Sequence, residues 1–302
     1  MTTETLRAGN RSIEISKADK VFFPEDGITK GDMAEYYQRV AATMVRYTDE
    51  RALAAERFPD GITGERIFQK NVPEHFPEWI RRVEVPKKEG GTTVHAVCDS
   101  AATLVYLADQ ACVTPHVWLS RIDALDTPDR MIFDLDPSDQ DLGLLRTAAR
   151  SIRDLVEELG LVAYLMTTGS RGYHVAVPLR REHDFDHVRD FAQRLASTAA
   201  RREPDALTVE QRKDNRGNRV FLDYLRNAYA QTAVAPYAVR ARKEAPVATP
   251  LWWDELEVTE PWQFTIETMP DRLNQSGDPW SDFGNRARSL RAPQEHLQRI
   301  SD

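Results

Sequence analysis

MIFDLDPSD, residues 131–139, alternates apolar and acidic side chains: Phe133, Asp134, Leu135, Asp136. Successive side chains on a strand point to opposite faces, so the spacing predicts a strand with Phe133 and Leu135 in a core and both aspartates on the other face. Two like charges a few ångströms apart repel unless a cation lies between them. A divalent metal is the most economical cation, and a Lys or Arg pair is the alternative.

The flanking sequence supplies partners for this strand. LGLLRTAARSIRDLVEELG has apolar residues at helical spacing with Gly160 just past its end, and VAYLMTT reads as the next strand. After a GSRG turn come the strand YHVAVPL, the helix FDHVRDFAQRLASTAARR and the strand RVFLDYL. The order β-α-β-β-α-β is that of an RRM-like, ferredoxin-like sheet with two helices on one face, which leaves the second face free for chemistry. The first and last strands of that motif lie side by side, so Asp223 in RVFLDYL is expected next to Asp134 and Asp136. A buried carboxylate is paired with a base or bound to a cation, because an unpartnered one costs several kcal/mol. Three converging carboxylates suit two divalent ions that bridge an attacking and a leaving oxygen in phosphoryl or nucleotidyl transfer.

Two more stretches carry candidate chemistry. In TTGSRGYH, Gly169 and Gly172 permit close backbone approach to a ligand, while Ser170, Arg171 and His174 offer a hydroxyl, a guanidinium and an imidazole, the groups a triphosphate needs. Alone, such a hairpin is more often only a turn, and His174 a satisfied sheet residue. In RNAYAQTAVAPYAVRARK, Gln231, Arg240 and Arg242 can engage phosphate oxygens; the plainer reading is an edge strand with surface arginines.

Composition narrows the classes. The 302 residues suffice for one large domain or two small ones, and 41% hydrophobic residues allow a substantial core. No apolar run reaches membrane-span length and the first residues lack a secretory pattern, so a cytoplasmic protein with no membrane partner is expected. Cys98 and Cys112 lack metal-type spacing and read as reduced core residues. A net charge of −8 argues against indiscriminate coating of nucleic acid but not against a local basic groove. Arginines and lysines gather in RFPDGITGERIFQK, EQRKDNRGNR and VRARK, clusters that are usually solvated faces.

Absence of repeats and Gly/Ser linkers predicts one continuous domain over 1–302, with an N-terminal subdomain of about 1–120, a core of about 121–245 and an extension of about 246–302. The N-terminal part reads as a short strand, a loop with Pro24 and Gly27, and a helix opened by Thr29 or Asp32. TTVHAVCDSAATLVYLADQACVTPHVWLS reads as strand, helix capped by Asp99 or Ser100, and strand. The final NRARSLRAPQEHLQRISD reads as a polar tail or a loosely docked helix.

FDLDP, TTGSRGYHVAVPL, FLDYLRN, QTAVAPYAVRAR and ISKADKVFFPEDGITKGDMAEYY together resemble the polymerase domain of bacterial ligase D, within the archaeo-eukaryotic primase superfamily. The resemblance runs from about Ile13 to Asp278 and implies an α/β, primase-like fold with the RRM-like core. It implies that Asp134, Asp136 and Asp223 bind two catalytic ions, Mn2+ or Mg2+, for attack of a primer 3′-hydroxyl on an incoming nucleotide. It places Ser170, Arg171, Gly172, His174, His116, Gln231 and Arg240 around that nucleotide, with ribonucleotides preferred. It assigns Lys20 and Lys30 to a 5′-phosphate at a gap or break, and Phe68 and Lys70 to the template side. Three positions depart from the family pattern: Arg171 stands where lysine is common, Lys17 where asparagine is frequent, and Ile67 in place of one of two consecutive aromatics. Because the sequence ends near Asp302, joining is expected to need separate partners, a Ku-like end binder and a DNA ligase.

Other readings fit less of the sequence. A haloacid-dehalogenase-like phosphatase carries its Asp-x-Asp near the start of its fold, and a metal-dependent glycosyltransferase leaves TTGSRGYH and Asp223 unexplained. The non-enzymatic alternative is a scaffold that recognises 5′-phosphorylated DNA ends without turnover.

Overall fold

The computed structural model describes residues 2–139 and 141–301. The chain gathers into two compact units. The first comprises the chain up to Trp118 with Thr232–Thr249 and Phe264–Asp278; the second comprises Leu119–Gln231, Pro250–Gln263 and the chain from Pro279.

The second unit is built on a six-stranded sheet in the order Leu207–Thr208, Val220–Asp223, Arg130–Asp136, Tyr173–Pro178, Tyr164–Thr167 and Pro250–Leu251. Its four inner strands run fourth, first, third, second in chain order, all antiparallel to their neighbours, which is the RRM-like arrangement expected from the sequence. Phe133 and Leu135 are fully buried, whereas Asp134 and Asp136 on the opposite face are partly exposed. Helices Leu142–Glu158 and Phe185–Arg202 pack on the sheet. The first buries Leu145, Ala148, Ala149, Ile152, Leu155 and Val156, a stripe at helical spacing. Asp141 and Asp184 cap the two helices by accepting the N–H groups of Leu144 and His187. Gly160, at φ +77°, takes the left-handed conformation just past the first helix's end.

The C-terminal stretch is docked. Helix Arg291–Ser301 packs on helix Phe185–Arg202 within this unit, and Leu297 in it and Leu290 just before it are buried, so the polar-tail reading gives way to a docked helix.

The first unit carries a sheet ordered Thr232–Val234, Cys112–Trp118, Ala52–Arg57, Thr92–Val97, Arg82–Pro86, with Ile67–Gln69 also paired to Ala52–Arg57. Helix Lys30–Thr48 begins with a capping box in which Thr29 and Asp32 both take part, and Ser100 caps helix Ala101–Asp109. The segment after Thr232 is held here because Thr232 pairs with Trp118, the buried Tyr36 hydroxyl donates to the Tyr237 carbonyl, and the Val239 N–H donates to the Tyr37 hydroxyl. Cys98 and Cys112 are free and buried, and burial pushes both thiols well above their ordinary range, to about 12 for Cys98. Among the described residues no helix is long and apolar enough to cross a membrane.

Candidate active site and nucleic-acid contacts

The acidic face of the second unit is set by strand register. Asp134 lies directly opposite Asp223 on one neighbouring strand and opposite His174 on the other, while Asp136 follows on the same face. Antiparallel partners stand close enough for their side chains to interact, so three carboxylates and one imidazole share a small surface.

Arginines provide the counter-charge. Arg226 Nε lies 3.4 Å from Asp134 Oδ2 and 3.7 Å from Asp223 Oδ2. Asp136 is held from both sides, by Arg171 Nη2 and Arg216 Nη1, each at 3.3 Å. His174 Nε2 is 3.5 Å from Asp134 Oδ1, and its buried Nδ1 has no hydrogen-bond partner among the described residues. Burial, with the nearby charge of Asp134, pushes the Asp223 carboxyl above the ordinary carboxylate value, against the lowering effects of the Leu225 N–H and Arg226.

These residues fit a divalent-ion site by donor chemistry, since carboxylate oxygens are the ligands that hard cations prefer. Among the described residues, no three acidic, imidazole or thiol side chains are grouped as a ready-made ion site.

The TTGSRGYH turn is fixed by backbone approach. A Cβ at Gly172 would overlap the Leu135 carbonyl oxygen, so only glycine lets the turn start its strand this close to the aspartate strand. Thr168 secures the turn: its hydroxyl accepts the Gly172 N–H at 3.3 Å and lies 2.9 Å from the Gly172 carbonyl. Gly169 adopts φ +62°, Ser170 is partly exposed and Arg171 is exposed. Gln231 is exposed at the end of the inserted segment.

The remaining candidates lie in the first unit. His116 Nε2 stands 3.3 Å from Glu56 Oε2, and Arg240 also acts electrostatically on Glu56. Phe68 is 39% exposed and its neighbour Ile67 37%, so the apolar surface at this edge persists although the second ring is absent. Lys70 is exposed.

The two lysines of the expected phosphate pocket differ sharply. Lys20 donates to the Pro59 carbonyl at 2.7 Å and to Asp60 Oδ1 at 2.8 Å, with its side chain 31% exposed. Lys30 is buried, and its ammonium donates to Ser16 Oγ, the Asp109 carbonyl and Asp109 Oδ1, which use all three of its hydrogens. Lys17 adopts φ +52°, a conformation asparagine tolerates better than lysine.

Sequence reading missed Glu56, Arg216, Arg226 and Asp109. Arg226 had a local signal, three residues after Asp223 in FLDYLRN. Arg216 sits in EQRKDNRGNR, read as solvated, yet it is 6% exposed and lies 3.9 Å over the Phe221 ring. Glu56 and Asp109 had none, since their partners lie 60 and 79 residues away.

The sheet of the second unit thus carries three register-linked carboxylates on one face. Residues 29–280 match the family model described as LigD, primase-polymerase domain. The chain belongs to this family. It is 34% identical over 97% of its length to the multifunctional non-homologous end joining protein LigD of Pseudomonas aeruginosa, covering 35% of that protein. It is 30% identical over 90% of its length to the bifunctional LigD of Bacillus subtilis, covering 44%. The chain thus spans less than half the length of these curated relatives. Its fold superimposes on the polymerase domain of Mycobacterium tuberculosis ligase D in complex with DNA with a TM-score of 0.85 at 30% identity, covering 91% of this chain and 99% of that one. The α/β fold is accordingly the archaeo-eukaryotic primase-like one.

Proposed function

We propose that the chain is a template-directed polymerase that adds nucleotides, ribonucleotides in preference, to a primer 3′-hydroxyl at gaps or broken ends of DNA during end joining. The observation that carries this reading is the register that sets Asp134 opposite Asp223 with Asp136 on the same face.

Asp134, Asp136 and Asp223 would hold two divalent ions, Mn2+ or Mg2+. Such ions, when bound, activate the attacking hydroxyl and neutralise charge on the leaving pyrophosphate. Arg226, Arg171 and Arg216 are the chain's own counter-charges on these carboxylates, and the first two are 43% and 49% exposed, so they can turn toward phosphate oxygens. Arg171 suits bidentate contact, Ser170 adds a hydroxyl, and His174 stays oriented by Asp134. Gly172 sets the turn that carries them, and Gln231 adds a polar contact for the triphosphate. On the first unit, His116 and Arg240 serve the nucleotide.

For DNA, the reading rests on the structural neighbour's being a complex with DNA and on the basic and aromatic residues of the first unit. Lys20 would exchange Asp60 for a downstream 5′-phosphate, and Lys30 supports the pocket by holding Ser16. Phe68 offers a ring for base stacking and Lys70 a cation for the backbone. A Ku-like end binder and a DNA ligase are the proposed working partners, in keeping with the end-joining names of the relatives.

The test is extension of a primer on a short gapped duplex bearing a 5′-phosphate, with Mn2+ and either ribonucleotides or deoxyribonucleotides. The reading requires extension by wild type, stronger with ribonucleotides, and none by the Asp134→Ala/Asp136→Ala double variant. No extension with retained binding to the phosphorylated gap would instead make the protein an end-binding scaffold.

A further inference from the structure

Glu56 is a carboxylate, only 7% exposed, set among the first unit's proposed nucleotide-binding cations. It stands on strand Ala52–Arg57 directly opposite Phe68, and Ala54, on the same face, is opposite His116. Arg66 Nε lies 2.5 Å from its Oε1 and His116 Nε2 3.3 Å from its Oε2. The His116 ring meets the Phe68 ring edge-on, centroids 5.4 Å apart at 71°, and the Arg66 guanidinium lies 6.0 Å from the Phe68 centroid. The four side chains close a circuit: Glu56 to Arg66, Arg66 to Phe68, Phe68 to His116, His116 back to Glu56.

The charged groups facing Glu56 are His116 from strand Cys112–Trp118, Arg66 from the turn before strand Ile67–Gln69, and Arg240 from the segment after Thr232–Val234. Burial alone would raise the Glu56 pKa, but the His116 hydrogen bond and charge, with Arg66 and Arg240, outweigh it and bring it down to about 2. An ionised carboxylate at Nε2 decides which imidazole nitrogen bears a proton and how the ring is turned.

We propose that Glu56 is a positioning residue, which orients the His116 imidazole for the incoming nucleotide and ties that orientation to the ring of Phe68 on the template side. The inference rests on the nucleotide and template roles proposed above for His116 and Phe68. Through this circuit, a base stacked on Phe68 would press on the ring that meets the nucleotide. Occupancy of the template side and affinity for the nucleotide would then be linked within one unit.

The test begins with free protein, by following the His116 ring protons in an NMR pH titration. In Glu56→Gln, of equal size, the His116 midpoint should fall by about one pH unit, because its anionic partner is gone. In Arg66→Met, whose side chain is 60% exposed and so does not threaten folding, the midpoint should rise, because a competing cation is removed. Unchanged midpoints, or shifts in the same direction in both variants, overturn the proposal. In primer extension, Glu56→Gln should raise the nucleotide KM about tenfold, far more than it lowers kcat. Phe68→Ala added to it should raise KM by less than the product of the single effects; strictly multiplicative effects overturn the link to Phe68. If wild type extends no primer, the polymerase reading falls while the titration still decides whether Glu56 governs His116.

Discussion

Lys30 of the first unit and Asp134 of the second are both charges met by counter-charges from their own unit, yet they are held in opposite ways. The Lys30–Asp109 pair is 2.7 Å long and its side chains are 6% and 10% exposed. Asp134 meets Arg226 at 3.4 Å, with side chains 20% and 43% exposed. A dry, short pair is structural, because neither partner can leave without stranding the other. A longer, wetter pair is worth little and can be exchanged for another ion. The difference separates residues that build a site from residues that trade partners in it.

The largest expected effect is on activity. Asp134→Ala should lower nucleotide addition by about 1,000-fold or more while leaving the melting temperature within about 3 °C of wild type, as measured by extension assay and thermal melt. Retained activity would remove the metal assignment, and an unfolded variant would make Asp134 structural like Lys30.

Lys30→Met reverses that pattern. It should cost about 3 kcal/mol in urea unfolding, because Asp109 is left buried without its cation. Lys20→Met should leave the melting temperature within about 2 °C and lower the preference for a 5′-phosphorylated gap. Equal stability losses in the two variants would erase the distinction between these lysines.

A smaller effect is predicted at Asp223. Its carboxyl is pushed up by burial and by Asp134, so its charge is a cost in the metal-free protein at neutral pH. Asp223→Asn should therefore raise the metal-free melting temperature at pH 7 by about 2–4 °C while abolishing extension. A lowered melting temperature would mean that Arg226 already compensates both aspartates.

The smallest effect lies in acid. The Glu56 pKa falls from the ordinary 4.5 to about 2, so its stabilising contribution is complete above 4.5 and is lost as pH drops toward 2. Urea midpoints measured across that window should fall less steeply in Glu56→Gln than in wild type. Parallel curves would show that Glu56 carries no such linkage.

The core sheet and the acidic triplet were legible because their signals are local. Alternation around Asp134, helical spacing from Leu145 to Val156, and Asp223 inside an apolar strand each need only a few neighbouring residues. The partners of the charges were not legible. Asp109 reaches Lys30 across 79 residues, and Glu56 reaches His116 across 60, so no window of sequence shows either pair. Arg216 was hidden by composition, since in a run of polar residues nothing marks the one whose guanidinium turns inward over Phe221. The return of Thr232 to pair with Trp118 was hidden too, because its strand is only three residues long.

The decisive measurement is an electron paramagnetic resonance titration of Mn2+ in the presence of a nucleoside triphosphate, comparing wild type with Asp223→Asn. If the half-exposed arginines yield to divalent ions on the acidic face, wild type will sequester Mn2+ beyond what the nucleotide alone binds and the variant will lose that excess. Equal Mn2+ binding by both proteins would contradict it, and would leave the arginines as the permanent partners of Asp134, Asp136 and Asp223.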